Sequence, residues 1–314
     1  MHYLGFIWNP LEGIEIGSFT LRFYSLSYVV AFVLGWYIMK RIFQNEKENL
    51  EKLDSLFIYM VLAILFGARL GHVLFYQPEL LKDDFLSVFL PISTKNGFEF
   101  TGFMGLASHG ATIGVAIALI LYNRKKLKKN VLWIFDRISV PAAIGAAFVR
   151  LGNFMNSEIV GKPTEDYSLA VKLVRNTEDI SKGEVSRLTQ QTDLNEAYSA
   201  LVNDPQFSEA LAAIPYRHPT QLYEAFGYVI TFVILYYVYW KTDKKWRLGY
   251  IFGLFFVLLW SIRFLVEFLK ESQGNEYLSF TNLNTGQLLS IPFVLFGLWL
   301  MFRKPTMYTA PKAK

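Results

Sequence analysis

The stretch Val131 to Thr164, VLWIFDRISVPAAIGAAFVRLGNFMNSEIVGKPT, decides the fold. Its first part, Val131 to Leu151, is an apolar run close to the ~20 residues that cross a bilayer as a helix. From Phe148 onward the run ends in an arginine, two asparagines and a glutamate instead of a plain turn. An arginine at such a boundary is costly without a partner or a charged ligand, so the run reads as a site inside a membrane protein.

Similar apolar runs recur outward from this one. With Leu21 to Ile42, Leu53 to Tyr76, Gly102 to Tyr122, Gln221 to Trp240, Leu248 to Phe268 and Leu288 to Phe302 they number about seven. The 314 residues are 53% hydrophobic and only 18% charged, with a mean hydropathy of +0.28, too apolar for an ordinary soluble domain of this size. The fold class expected is an all-α polytopic membrane protein, about seven transmembrane helices with a small α+β extramembrane head between spans 4 and 5. The corresponding divisions are residues 1–161 (spans 1–4 and an outer N-terminal segment), 162–217 (the head) and 218–314 (spans 5–7 and the C-terminus). The first 20 residues lack a basic n-region and a compact apolar core, so the first span is expected to direct insertion itself.

Lysine and arginine set the orientation. One set of loops holds Lys40, Arg41, Lys47 and Lys52, then Arg124 to Lys129, then Lys241 to Arg247, and finally Arg303, Lys304, Lys312 and Lys314. The alternate short loops hold only Lys82, Lys95 and Lys270. The positive-inside rule then puts the N-terminus outside and the C-terminus in the cytoplasm, which requires an odd number of spans. The net charge of +5 mostly reflects these loops, so nucleic acid need not be invoked. There are no cysteines, which excludes disulfides, thiolate metal sites and a cysteine nucleophile. Any thiol in the chemistry belongs to a substrate.

The outer segment 162–217 mixes charges with short apolar groups, as a small folded head does. Leu169, Val171 and Leu173 alternate like a strand, and Asp193 to Ala213 is helix-like.

The topology assigns depths to the polar residues. Ser108 and His109 fall about two turns into span 3, roughly 10 Å at 1.5 Å per residue. Arg150 and Asn153 end span 4, with Asn156 and Glu158 beyond; HPTQLYEA opens span 5 with His218, Gln221 and Glu224; Arg263 and Glu267 share a face of span 6; Arg69 and His72 lie near the end of span 2; Arg22 and Tyr24 begin span 1. Six segments thus bring polar groups to one level, the argument for a shared site. Each residue also has a plainer explanation: snorkelling or a helix-end carbonyl for Arg69, an ion pair for Arg263 with Glu267, a packing role for His109, and close helix packing for Gly102, Gly105, Gly110 and Gly114. Asp136 and Arg137 lie toward the cytoplasmic end of span 4 and read as structural. Arginines with little nearby acid suit a phosphate head group, gripped through charge-assisted bidentate bonds, and His109 is able to take a proton near neutral pH. Residue types alone do not separate a lipid transferase from a lipid or anion transporter. They disfavour a serine protease, because Ser108 and His109 point about 100° apart on one helix. No internal repeat is apparent, which weakens an inverted-repeat transporter.

Six ordered motifs carry a resemblance across nearly the whole chain: GARLGHVLFY (Gly67 to Tyr76), SHGATIG (Ser108 to Gly114), RLGNFMNSE (Arg150 to Glu158) followed by Gly161 and Thr164, HPTQLYEA (His218 to Ala225), RFLVEF (Arg263 to Phe268) and GQLLSIP (Gly286 to Pro292). In these the chain resembles the prolipoprotein diacylglyceryl transferases, integral enzymes of the bacterial cytoplasmic (inner) membrane. The resemblance implies transfer of diacylglyceryl from phosphatidylglycerol to the lipobox cysteine thiol of a preprolipoprotein signal peptide, forming a thioether and releasing glycerol phosphate. It implies no metal and no organic cofactor. By this likeness His109 is the expected base or proton relay, Arg150 and Arg263 hold the lipid phosphate and leaving group, Asn153 orients polar groups, and Gly161 permits a turn beside Glu158. Tyr24, Arg69, Gln221, Tyr223, Glu224 and Glu267 are expected to line or support the substrate site. Three departures stand out. Ala111 replaces a frequent glycine, Leu259 stands where a tyrosine is common, and Lys270 replaces a frequent arginine, keeping charge without the bidentate fork.

Overall fold

A computed structural model describes residues 5–17, 19–90, 92–94, 98–100, 105, 107–166, 168–271 and 283–308. The chain opens with strands β1 (Phe6–Trp8), β2 (Gly13–Ile16) and β3 (Phe19–Arg22), then helices α1 (Phe23–Asn45), α2 (Leu50–Tyr76), α3 (Leu80–Asp83) and α4 (Phe85–Phe89). Strands β4 (Ile92–Ser93) and β5 (Glu99–Phe100) precede α5 (Ser108–Tyr122) and α6 (Val131–Met155). Strand β6 (Val171–Leu173) and helices α7 (Lys182–Thr189), α8 (Leu194–Asn203) and α9 (Ser208–Ala213) lead to α10 (Thr220–Lys241), α11 (Tyr250–Val266) and α12 (Thr285–Phe302).

Six helices among the described residues, α1, α2, α6, α10, α11 with its terminal turn, and α12, are long and apolar enough to cross a membrane. The protein is thus mostly helical and multi-pass. The expected third span is present only as α5, whose 15 residues extend about 22 Å, short of the ~30 Å hydrocarbon core. Its expected first residues, Gly102, Phe103, Met104 and Leu106, lie outside the described residues, as do Lys95, Lys312 and Lys314. Gly105 has φ +72°, a left-handed conformation open to glycine at no steric cost.

The chain divides into two compact units, Trp36–Ile138 and the combination of Met1–Gly35 with Ser139–Lys314. In the first, α2 and α5 cross at glycines. A Cβ on Gly110 would lie 2.3 Å from the Gly67 carbonyl, and one on Gly71 would lie 2.6 Å from the Gly110 Cα. Close backbone approach of this kind replaces the hydrophobic drive that lipid does not supply. Gly105, expected to serve helix packing, instead makes room for the His72 ring. Beyond α2, Asp84 accepts bonds from the Thr94 amide (2.8 Å) and hydroxyl (2.7 Å), which hold its carboxyl below the usual range and knot α4 to β4. At the other end, Glu46 takes the Arg137 guanidinium at 2.8 and 3.0 Å and the Trp133 indole at 2.8 Å, so Arg137 has the structural role its position suggests.

In the second unit α11 and α12 cross where Gly253 and Gly297 face each other's carbonyls. The segment between α6 and α10 folds as a small lobe around Val174, Ile180, Val185, Ala197, Tyr198, Leu201 and Ile214. Its strand differs from the alternation expected at 169–173: Leu169 is exposed, whereas Val171, Lys172 and Leu173 are all buried. β1 pairs with β6 in parallel, Phe6 opposite Val171, and both faces of β6 are covered: Val171 and Leu173 pack with Phe154 and Val160, while Lys172 donates to the Leu211 carbonyl at 2.6 Å with its ammonium over the Tyr216 ring. The helical stretch 193–213 breaks at Asp204, which caps a 3-10 turn beginning with Pro205.

Gly110→Val is expected to force α2 and α5 apart and to cost about 1–3 kcal/mol, the usual penalty of overpacking, read as a lower thermal midpoint of the detergent-solubilised protein. Gly183→Ala, with nothing within 4 Å of the added carbon, is the control and should melt as the parent does.

Candidate functional site

Arg150 sits five residues from the end of α6, and its fate is decided by Glu224 on α10. The guanidinium Nε meets the Glu224 carboxylate at 2.6 Å, with the glutamate side chain only 1% exposed. Arg150 Nη1 donates to Asn153 Oδ1 at 3.2 Å, Asn153 Nδ2 donates to Glu158 Oε1 at 2.7 Å, and Gln221 Nε2 donates to the Glu158 carbonyl at 2.7 Å. Four of the expected residues thereby form one continuous chain of bonds with Arg150. The hydroxyl of Tyr228 also bonds Arg150. Tyr228 follows Glu224 by one helical turn, so the spacing of HPTQLYEA pointed to this position although its residues did not include it.

The loop after α6 is built tightly. Ser157 and Ile159 adopt left-handed backbone at φ +54° and +58°. At Gly161, an added Cβ would lie 2.3 Å from the His218 carbonyl, and the Gly161 amide donates to that carbonyl at 3.1 Å. The turn expected of Gly161 is therefore a close approach of two backbones. Gly152 likewise lets α6 meet α1: a Cβ there would lie 2.4 Å from Ser27 Oγ. Tyr24 lies beside it, bonded to the Tyr28 hydroxyl at 2.9 Å and within electrostatic reach of Glu158 and Arg150.

Arg263 on α11 belongs to the same charged neighbourhood, interacting with Tyr228 and Lys270, with its guanidinium 5.7 Å from the Trp260 ring centre. Its Nε is buried without an acceptor among the described residues. The ion pair read from i,i+4 spacing takes a different form: Glu267 faces Lys270 at 3.6 Å and packs on Gly286, where a Cβ would meet its carboxylate at 2.6 Å. The amide of Glu267 keeps its helical bond to the Arg263 carbonyl, and the turn Glu267–Leu269 that follows is 3-10, whose eclipsed i,i+3 positions bring Lys270 beside Glu267. Burial lowers the pKa of Lys270, against the pull of Glu224 and Glu267.

Not every expected residue joins this network. Tyr223 turns to His218, its hydroxyl 3.5 Å from Nδ1. His109 and Arg69 belong to the other unit. There Arg69 donates to the Ser87 carbonyl at 2.8 Å, the plainer explanation of a buried arginine, while His109 lies exposed in the first turn of α5 against Phe75 and Tyr76. The helix begins at Ser108, so His109 stands in its first turn and not two turns in.

One organising residue was missed. Arg217 is buried and donates to Asp179 at 2.9 and 2.5 Å, to Glu271 at 2.6 Å and to the Gly161 carbonyl at 3.0 Å. Burial alone would depress its pKa, but the bonds to Asp179 and Glu271 outweigh it and raise the pKa above the ordinary arginine value. It ties the loop after α6 to the lobe and to the chain after α11. Its partners come from remote segments, so no local spacing announces it.

Comparison with known proteins gives the family. The family described as prolipoprotein diacylglyceryl transferase matches residues 12–303. The chain belongs to that family. Among its relatives, a protein of Bacteroides fragilis is 36% identical over 298 residues, covering 94% of each chain. One from Porphyromonas gingivalis is 37% identical over 86% of this chain and 84% of its own, and one from Tolumonas auensis 35% over 92% and 93%. All three are named phosphatidylglycerol–prolipoprotein diacylglyceryl transferase.

Arg217→Met leaves Asp179 buried without its cation and is expected to cost about 3–5 kcal/mol. Adding Asp179→Asn should recover part of the loss, and a double-mutant cycle on thermal unfolding that proves strictly additive would show the two side chains to be uncoupled.

Proposed function

We propose that this protein transfers the diacylglyceryl group of phosphatidylglycerol to the cysteine thiol of a prolipoprotein lipobox, and that Arg150, held by Glu224 beside Asn153 and Glu158, is the phosphate-binding centre. Membership of the transferase family supports the reaction, and the relatives' names do not favour a lipid or anion transporter. The seven-span arrangement, with α5 as the third span, the lobe on the outer side of a bacterial inner membrane and the C-terminus in the cytoplasm, is the topology we infer from the lysine and arginine distribution.

The chemistry follows from charge. The thiolate attacks the glycerol carbon that bears the phosphate, a carbon–sulfur bond forms as the carbon–oxygen bond breaks, and the phosphodiester monoanion leaves as a phosphomonoester with one further negative charge. Groups that stabilise this added charge act mainly on the transition state and lower the barrier. Arg150 is suited to that task because Glu224 fixes its Nε, leaving the fork oriented, and the unpartnered Nε of Arg263 offers a second donor. Asn153 and Glu158 set the position of Arg150, and Gln221 anchors their loop. Tyr24 lines the arginine from α1. Glu267 with Lys270 supports the chain end of α11. Tyr223 with His218 borders the loop, and Arg69 braces α4. A free thiol has a pKa of about 8.5, so a base accelerates attack near neutral pH; we assign proton acceptance to His109, whose exposed ring is open to a substrate.

Arg150→Ala and Arg263→Ala should each lower transfer at least about 100-fold, the scale seen when one charge-stabilising donor is lost; the thermal midpoint should stay close to the parent's in Arg263→Ala and fall in Arg150→Ala, which leaves Glu224 buried without its cation. The assay is thioether formation on a lipobox peptide with phosphatidylglycerol vesicles; normal turnover in either variant would end the phosphate assignment. His109→Gln should slow transfer most near neutral pH and progressively less as pH approaches the thiol's own pKa of about 8.5, where the base becomes dispensable. An unchanged pH–rate profile would give His109 a structural role only.

A further inference from the structure

On the lobe side of the loop after α6 lies a cavity of about 330 Å³, bordered by Asn156, Ser157, Glu158, Arg22, Arg175 and Lys182. Arg175 is the unusual member. It is buried, with 7% of its surface exposed, and its two hydrogen bonds go to neutral amides, Asn9 Oδ1 (2.7 Å) and Asn195 Oδ1 (3.0 Å), while its guanidinium stacks 4.8 Å from the Tyr198 ring centre. The remaining nitrogen, Nη1, is buried without a partner among the described residues. Leaving a buried charged donor unsatisfied is costly, and burial lowers the pKa of Arg175. Ser157, on the left-handed backbone of the loop, also borders the cavity, and its buried hydroxyl has no partner among the described residues. Arg22, exposed, adds a further cation at the rim.

Two unsatisfied donors beside a third positive group call for a small oxyanion. The carboxylates of Glu12, Glu158 and Glu178 also line the cavity and offset part of this charge, Glu12 acting on both Arg175 and Arg22. Glu12 is bound to Lys182 at 2.8 Å and Glu158 already accepts the Asn153 amide. These carboxylates, with the exposed Glu178, are acceptors for hydroxyl groups, so a ligand with both a phosphate and alcohols fits the lining better than a bare anion. A cavity of about 330 Å³ has room for the ten or so heavy atoms of glycerol phosphate. The near balance of charges gives modest affinity, as a site that must let a product go requires.

We propose that this cavity is a phosphomonoester site, with Arg175 and Ser157 as phosphate donors, that takes up glycerol phosphate as it leaves the reaction centre across the Asn156–Glu158 loop. The identity of the source rests on the transfer reaction proposed above, whereas the phosphate chemistry does not. Binding is therefore measured without turnover, by ³¹P NMR titration of the intact detergent-solubilised protein with glycerol phosphate and, separately, with inorganic phosphate. The expected result is saturable binding that Arg175→Met weakens at least about tenfold and the surface change Arg22→Gln about two- to threefold, with Arg150→Ala retaining it. Tighter binding of glycerol phosphate assigns the site to the released product, and equal binding assigns it to free phosphate. In transfer assays, added glycerol phosphate should inhibit the parent more than Arg175→Met, whose initial rate without added product stays within about twofold of the parent's. Absence of binding by either phosphate, or binding unchanged in Arg175→Met and Arg22→Gln, overturns the site; should Arg175→Met fail to fold, Arg22→Gln decides. A protein that binds glycerol phosphate but transfers nothing would leave this site standing and remove the proposed reaction.

Discussion

The ion pair between Arg150 and Glu224 is the constraint around which the larger unit is arranged. An isolated guanidinium at the end of an apolar helix is expensive, by estimates that start near 2.5–3.5 kcal/mol for membrane insertion. Glu224 offsets that cost from a second helix at 2.6 Å, but one of its own oxygens is left without a partner, so the pair is charged, ordered and only partly satisfied. Groups in that condition are held in place while still able to respond to a third charge. The close packing of α6 against α1 at Gly152 and of the loop against His218 at Gly161 then becomes intelligible as the framework that keeps α6 and α10 in register.

The loop between them holds backbone strain. Ile159 at φ +58° is a β-branched residue in a region that disfavours its side chain, at a cost of order 1–3 kcal/mol. It persists because the Gln221 amide holds the preceding carbonyl and the Thr220 hydroxyl holds its own. Arg217 adds the third restraint through the Gly161 carbonyl. A short segment fixed by side chains from several directions resists the relaxation that would let Asn153 and Glu158 drift from Arg150.

Much of this could be read from residues close together in the chain. Apolar run lengths located six helices, and Arg150, Asn153 and Glu158 announced themselves by standing where a helix leaves the apolar region. Gln221 and Glu224 followed from spacing on α10. What the sequence concealed had remote or geometric causes. Arg217 gathers Asp179, Gly161 and Glu271 from three segments, the 3-10 turn after α11 brings Lys270 beside Glu267, and α5 begins only at Ser108. Strand β6 shows no alternation because Lys172 on its second face is bonded to the Leu211 carbonyl beneath Tyr216, and its partner strand comes from the far N-terminal end of the chain.

That partner has a consequence for how the protein is made. Parallel pairing of Phe6 with Val171 joins the first strand to a strand synthesised after four of the chain's long or apolar helices have emerged. Such a contact has very high sequence separation, and its loop-closure entropy must be met before the pairing contributes anything. During synthesis the N-terminal strand therefore waits, with Trp8 unable to stack on Phe154 until α6 is complete. The lobe matures last among the elements of its unit that precede α10, and the interval before it closes is when the unpaired edge of β1 is open to a chaperone or to aggregation.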